Sequence, residues 1–311
     1  MSIYITVDIG GTQIRAAAFP ILGYEPLKIK RIATQNSNRS PAERLITLIE
    51  DVIPVGEDIT AIGVAAPGPL DPSTGVIFET PNIPELHHFP LASYLADHFK
   101  KPVALDNDAN LAALGEWTIG AGKGHKHLIY LTISTGIGSG IIIDGHLLHG
   151  EKGLAPELGH TIVLPNGPRC SCGHRGHLEA VASGPAITRW VQQAIEQGKK
   201  SLLSNAQHLT AKTIADAATQ GDQLAKAAFE RAGTFIGQAL ADFVHIFNPS
   251  VIILGGGVSR SGDLLLPPIN TTLRELVIDP NFTNNLTITT AKLGDNAGLI
   301  GAKILAQTIK S

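Results

Sequence analysis

Residues 3–19 read IYITVDIGGTQIRAAAF: an apolar run, a loop holding Gly10, Gly11 and Thr12, and a second apolar run. Ile, Val, Thr and Tyr favour extended backbone and the glycines supply a tight turn, so the stretch predicts strand, turn, strand. Residues 128–144, LIYLTISTGIGSGIIID, repeat the plan, with Thr135, Gly136 and Gly138 in the loop. A weak repeat of this size points to a duplicated domain. A third apolar run, VIIL at 251–254, enters Gly255-Gly256-Gly257.

Working outward, apolar spacing predicts helices at 41–51, 91–99, 111–117, 184–197, 211–219 and 222–247, and another from 296. Short apolar runs at 59–65 and 103–105 read as buried strands. The long segment 222–247 places apolar residues at 224, 228, 232, 236, 240, 243 and 247, a helical spacing stopped by Asn248-Pro249. Strands alternating with helices imply an α/β fold with largely parallel sheets. At 311 residues the chain suits two lobes.

Composition narrows the class. A formal net charge of -3 gives no electrostatic case for nucleic acid. No apolar run reaches the ~18 residues of a membrane span. The N-terminal residues read as a strand, without the basic and apolar regions of a signal peptide. The two cysteines, Cys170 and Cys172, are one residue apart, a spacing that makes a strained disulfide at best. A reduced cytoplasmic protein is expected.

Three features carry chemistry. The glycine loops follow buried strands, where backbone N–H groups can approach phosphate oxygens. Each loop alone is equally compatible with a hairpin turn, and none has dinucleotide or P-loop spacing. Second, Asp106-Asn107-Asp108-Ala109-Asn110 stands where a strand runs into a helix. Those side chains suit either plain helix capping or a general base at the carboxyl end of a sheet. Third, residues 157–179 gather Glu157, His160, Cys170, Cys172, His174, His177 and Glu179. Two thiolates and two imidazoles would make a closed tetrahedral zinc site, structural rather than catalytic. The alternative is a reduced cysteine pair among surface histidines and solvated carboxylates.

The order Asp-x-Gly-Gly-Thr, a second Thr-Gly loop and a late Leu-Gly-Gly-Gly loop resembles the sugar kinase, actin and heat-shock chaperone ATPase superfamily. Asn-Asp-Ala-Asn at 107–110, Glu-Leu-Gly-His at 157–160 and the Cys/His run at 170–179 narrow the resemblance to the ROK family of sugar kinases and repressors. It covers essentially the whole chain. It implies a two-lobed actin-like ATPase fold of duplicated ribonuclease H-like domains with an interlobe cleft. The lobes are expected at 1–115, completed by helix 296–311, and at 116–295 with the zinc loop.

The same resemblance implies an ATP-dependent hexose kinase, with glucose phosphorylated at the 6-hydroxyl. Fructokinase and N-acetylmannosamine kinase are the near alternatives, and polyphosphate is the rival phosphoryl donor. Asp108 would be the base. Gly68, Asn82, Asn107, Asp108, Glu157, His160 and Glu179 would meet the sugar. Gly10, Gly11, Thr12, Thr135, Gly136, Gly138, Gly255 and Gly256 would meet ATP, with Asp8 aiding Mg2+ through water. Zinc would be held by His160, Cys170, Cys172 and His177, fixing His160 toward the sugar. Two positions depart from the family pattern. Ser134 replaces a common glycine, and His177 stands at the third cysteine position, with His174 as a rival ligand. Family repressors begin with a helix-turn-helix, whereas this chain enters its first strand by residue 3, so a kinase is expected. A chaperone-like ATPase would need a further peptide-binding domain. The resemblance also implies a homodimer, with no nucleic-acid or membrane partner.

Overall fold

The first strand, β1 (Ser2–Ile9), buries Ile3, Ile5, Val7 and Ile9, and Thr6 on its other face is buried too. A strand covered on both faces belongs inside a layered α/β sheet. In the computed structural model, which describes residues 2–35, 39–80 and 83–309, the chain forms two units. The first comprises Met1–Lys123, Leu147–Pro156 and Asp295–Ser311, the second Gly124–His146 and Glu157–Gly294.

In the first unit, β1 is followed by β2 (Gln13–Pro20), β3 (Lys28–Ala33), α1 (Pro41–Val52) and β4 (Asp58–Ala66). A small antiparallel pair, β5 (Leu70–Asp71) and β6 (Val76–Ile77), precedes α2 (Leu91–Phe99), β7 (Val103–Asn107) and α3 (Asp108–Ile119). The sheet order is β3-β2-β1-β4-β7. The hairpins β1–β2 and β2–β3 are antiparallel, while β4 and β7 join in parallel. Helix α1 begins with a capping box, Ser40 accepting from the Glu43 N–H and Glu43 accepting from the Ser40 N–H. It buries Leu45, Leu48, Ile49 and Val52.

The second unit runs β8 (Leu128–Ile133), β9 (Ile137–Ile143) and β10 (His146–Leu147), then α4 (Leu178–Ala182), α5 (Gly184–Glu196), α6 (Ala211–Thr219) and α7 (Gln223–Phe247). After these come β11 (Val251–Gly255), α8 (Gly256–Ser259), α9 (Gly262–Leu276) and β12 (Thr287–Thr290). Its sheet order, β10-β9-β8-β11-β12, is that of the first sheet position for position. The repeat read at the first hairpin of each unit therefore extends through all five strands of both sheets.

Helix α10 (Ala297–Thr308) returns to the first unit and packs on α3, β1 and β4. The α3–α10 crossing depends on missing side chains. A Cβ at Gly301 would lie 1.8 Å from the Leu111 carbonyl oxygen, and one at Gly115 would lie 2.6 Å from that of Ala297. Gly301→Ala is expected to cost about 3 kcal/mol through overpacking, read as a fall of roughly 5–10 °C in Tm. An unchanged Tm would contradict this crossing.

Candidate active site and metal centre

Parallel strands bring their carboxyl ends to one edge, where α/β sheets place ligands. In the first sheet Asp8 aligns with Ala65, and Ala66 with Asn107. The Gly10–Thr12 turn, the Pro67-Gly68 turn and the Asn107–Asp108 junction thus leave the same edge. Gly68 precedes a cis peptide bond to Pro69. Asn82 lies outside the described residues. Asp8 pairs with the Arg15 guanidinium, and burial pushes its carboxyl up against the pull of that arginine.

The β7–α3 junction shows the capping that the sequence offered as one of two readings. Asn107 is the N-cap: its Oδ1 accepts from the N–H groups of Ala109 at 2.9 Å and Asn110 at 3.3 Å. That leaves its Nδ2 group as the part able to donate to a ligand. Asp108 is the first helical residue, its Oδ1 accepting the Ala109 N–H at 2.7 Å. The helix therefore starts at Asp108, three residues before the apolar segment that signalled it. The N-terminal end of α3 favours negative charge at this position.

In the second sheet β8 and β11 are parallel, with Thr132 opposite Gly255. The Thr135–Gly138 and Gly255–Gly257 loops accordingly share one edge. Gly256 adopts φ +82°, a left-handed conformation that suits glycine. A cavity of about 990 Å³ opens beside them, lined among others by Thr135, Gly184, Gln207, Lys212, Gly257 and Arg260. Gln207, Lys212 and Arg260 sit outside any recognisable motif, so no sequence signal pointed to them.

The Cys/His loop is a tight knuckle. The Cys170 N–H donates to the His174 carbonyl at 2.7 Å, and the Gly173 N–H to the Cys170 carbonyl at 3.0 Å. The knuckle ends where His177 leads into α4. One donor atom from each of His160, Cys170, Cys172 and His177 lies within 4.8 Å of all the others. The two Nδ1 atoms of His160 and His177 are 3.3 Å apart. Cys170 Sγ stands 3.6 Å from His160 Nδ1, and Cys172 Sγ 3.3 Å from His177 Nδ1. Zinc bonds of about 2.0–2.3 Å in a tetrahedron separate ligand atoms by about 3.3–3.8 Å, so this donor set fits the ion. The His174 ring centroid is 6.0 Å from that of His177, and His174 is not among the four.

Ionisation agrees with that fit. Burial and repulsion from His160 and His174 hold His177 below its ordinary range, leaving a neutral imidazole with a lone pair to give. Burial pushes the Cys170 thiol up to about 11. A bound cation is what would make it a thiolate near neutrality.

The carboxylates flank this centre. Glu179 Oε1 accepts from Ser171 Oγ at 2.7 Å, and its Oε2 accepts from the Ile137 N–H at 3.1 Å. It thereby ties the knuckle to the Thr135–Gly138 loop. A Cβ at Gly136 would lie 2.6 Å from Glu179 Oε2, so only glycine lets the two meet. Arg189 and Arg231 donate to the Ala180 and Val181 carbonyls at the end of α4, holding the helix that carries Glu179. Glu157 Oε2 is 4.0 Å from His160 Nε2, the ring nitrogen turned away from the metal donors. Desolvation pushes the Glu157 carboxyl up, against His160 and with Glu179.

The profile of the ROK family matches residues 4–309. The glucokinase of Thermotoga maritima is 39% identical over 306 residues, covering 96% of this chain and 95% of its own. The crystal structure of a ROK family glucokinase from Streptomyces griseus in complex with glucose and AMPPNP superposes with a TM-score of 0.85. It shares 36% identity and covers 99% of this chain and 100% of its own. A ROK family transcriptional regulator, homologous to Escherichia coli Mlc, gives a TM-score of 0.90 at 27% identity, covering 98% of this chain and 78% of its own. The two sheets of matching order are those of an actin-like ATPase fold. With family motifs in order at the sheet edges and a family match along nearly its entire length, the chain belongs to the ROK family.

Proposed function

We infer that this protein is an ATP-dependent hexose kinase that phosphorylates glucose at the 6-hydroxyl. One observation carries the reading: a carboxylate, Asp108, begins a helix at the sheet edge that also presents the Gly10–Thr12 turn. Phosphoryl transfer to a sugar needs a proton acceptor for the attacking hydroxyl and neutralisation of phosphate charge. Asp108 takes the proton as the 6-oxygen attacks the γ-phosphorus, the P–O bond to ADP breaks, and ADP leaves with the electron pair. In the first unit the backbone N–H groups of Gly10, Gly11 and Thr12 would meet phosphate oxygens, and in the second unit those of Thr135, Gly136 and Gly138 have the same chemistry. Gly255 and Gly256 border the adenosine, and the cavity lined by Gln207 and Arg260 is large enough to hold it. Asp8 would hold Mg2+ through water, and the ion would supply charge neutralisation on the phosphates.

We assign sugar hydroxyls to Asn107 Nδ2 and the Gly68 turn in the first unit and to Glu157, His160 and Glu179 in the second, and on family resemblance to Asn82. Carboxylates suit adjacent hydroxyls because each accepts more than one hydrogen bond. His160, Cys170, Cys172 and His177 would hold zinc, and the His160 ring, with its Nε2, would be fixed by that bond. We assign the protein to the cytoplasm as a homodimer, on family resemblance. No helix among the described residues is long and apolar enough to cross a membrane.

The test is kcat/KM for glucose, mannose, fructose and N-acetylmannosamine with ATP, and with polyphosphate as donor. Glucose with ATP is expected to rank first. Fructose or N-acetylmannosamine ranking first would reassign the sugar. A second expectation concerns Gly136→Ala. Its Cβ would push Glu179 away, and a misplacement of about 1 Å costs about 100-fold in rate. Kinetics of that variant within twofold of wild type would remove Glu179 from its place beside the loop.

A further inference from the structure

We propose that His149 and Asp106 form a charged positioning pair for phosphoryl transfer, the imidazole fixing a buried carboxylate that in turn holds the Asn107–Asp108 junction. The proposal rests on the kinase reading and on Asp108 as its base.

Asp106 is the penultimate residue of β7, and 2% of its side chain is exposed. A buried carboxylate is tolerated only where donors surround it. Oδ1 accepts the Asn107 N–H at 2.7 Å and the Asn110 Nδ2 group at 3.2 Å. One oxygen therefore grips both the strand end and the first turn of α3. Oδ2 accepts from His149 Nε2 at 2.7 Å. His149 lies in the Leu147–Pro156 segment, which the chain enters from β10 and leaves at Glu157.

That segment is built to hold the ring. The Ala155 N–H donates to the His149 carbonyl at 3.0 Å, closing the segment on itself. A Cβ at Gly153 would lie 2.4 Å from Pro72 Cδ, so the segment lies hard against the turn after β5. Without the imidazole, Oδ2 would be a buried anionic atom without its donor. Asp106 would move or admit water, and either change weakens Oδ1 as the acceptor for Asn107 and Asn110. The base would then sit on a looser helix start, and general-base transfer is sensitive to such misplacement.

The charged group acting on the ring is Asp106, from β7, and the Leu147 carbonyl meets the ring from its own segment. That segment's other charges, Glu151 and Lys152, are exposed, and α3 contributes Asp108 to the same junction. The hydrogen bond to Asp106 leads in raising His149 above its ordinary range, against partial burial. The imidazolium is therefore fully present below the unfolded value near ~6.5, and is lost as pH rises through the higher folded value. Carboxylates ordinarily titrate well to the acid side of imidazoles. The limb belonging to His149 is the alkaline one.

The experiment measures kcat, both KM values and the pH profile of kcat for His149→Ala, His149→Gln and Asp108→Asn, normalised to folded protein by thermal melt. Removing a donor from a buried carboxylate is expected to lower kcat of the alanine variant about 10- to 100-fold, with KM for ATP within twofold of wild type. Glutamine can place its Nε2 group near the original nitrogen without the charge. That variant should fold as wild type and recover part of kcat. The wild-type alkaline decline should be absent from it. A kcat within twofold of wild type in the alanine variant overturns the proposal. So does the same alkaline decline in wild type and the glutamine variant. Asp108→Asn separates the two readings. If it is inactive while the His149 variants behave as wild type, only the pair fails. If it is fully active, the kinase base itself is misassigned.

Discussion

Asp108→Asn is expected to lower kcat by about 100- to 10 000-fold while glucose binding, measured by calorimetry, stays within a few fold of wild type. The asparagine side chain keeps the size of the carboxyl group and an oxygen for the Ala109 N–H, which Asp108 Oδ1 accepts at 2.7 Å. Asn107 remains the cap of α3 through its bonds to Ala109 and Asn110, so the helix start is preserved. The variant loses an acceptor basic enough to take the sugar hydroxyl proton. An interaction that matters only as that proton moves lowers kcat and kcat/KM together. A variant retaining more than a tenth of wild-type kcat would remove Asp108 from the role.

Loss of zinc is expected to act on the sugar side. Metal analysis should find one zinc per chain. Cys172→Ser, or removal of the ion by a strong chelator, should raise KM for glucose by about 10- to 100-fold, lower the Tm and leave KM for ATP much less affected. The knuckle's backbone bonds, such as Cys170 N–H to the His174 carbonyl, hold the chain rather than the side chains that would meet the ion. Cys170 is buried, but Cys172 is exposed, and His177 joins the loop to α4. Without the ion, only hydrogen bonds to each other and to the thiols hold the two imidazoles, whose Nδ1 atoms are 3.3 Å apart. His160 then turns freely, and Glu179, which accepts from Ser171 Oγ within the knuckle, loses a partner. Zinc far below one per chain with undiminished activity would refute this assignment.

The duplicated plan was legible because two hairpins carry near-identical patterns at 3–19 and 128–144, and each begins a sheet of the same strand order. Helix α9 escaped the periodic reading for a physical reason. Pro267 and Pro268 stand in its interior, where proline ordinarily ends a helix, yet Leu265, Ile269 and Leu273 are buried along one side. Strand β12 is four residues of Thr and Ile at a sheet edge, too short and too little buried to announce itself. The clustering of His160, Cys170, Cys172 and His177 was legible because cysteine is scarce here and the spacing is dense. Asn107 was legible as polar, but which of its groups is spent on capping depends on backbone angles that composition does not carry. His149 had no signal. Its meeting with Asp106 joins residues 43 apart, and the Leu147–Pro156 segment belongs to the first unit although both its neighbours in sequence belong to the second.

The central claim is tested most directly by incubating the purified chain with ATP and glucose and following the products by phosphorus NMR. One ADP should appear for each glucose consumed, with the transferred phosphate on the 6-oxygen. ADP release that is not stimulated by glucose, mannose, fructose or N-acetylmannosamine would contradict the account.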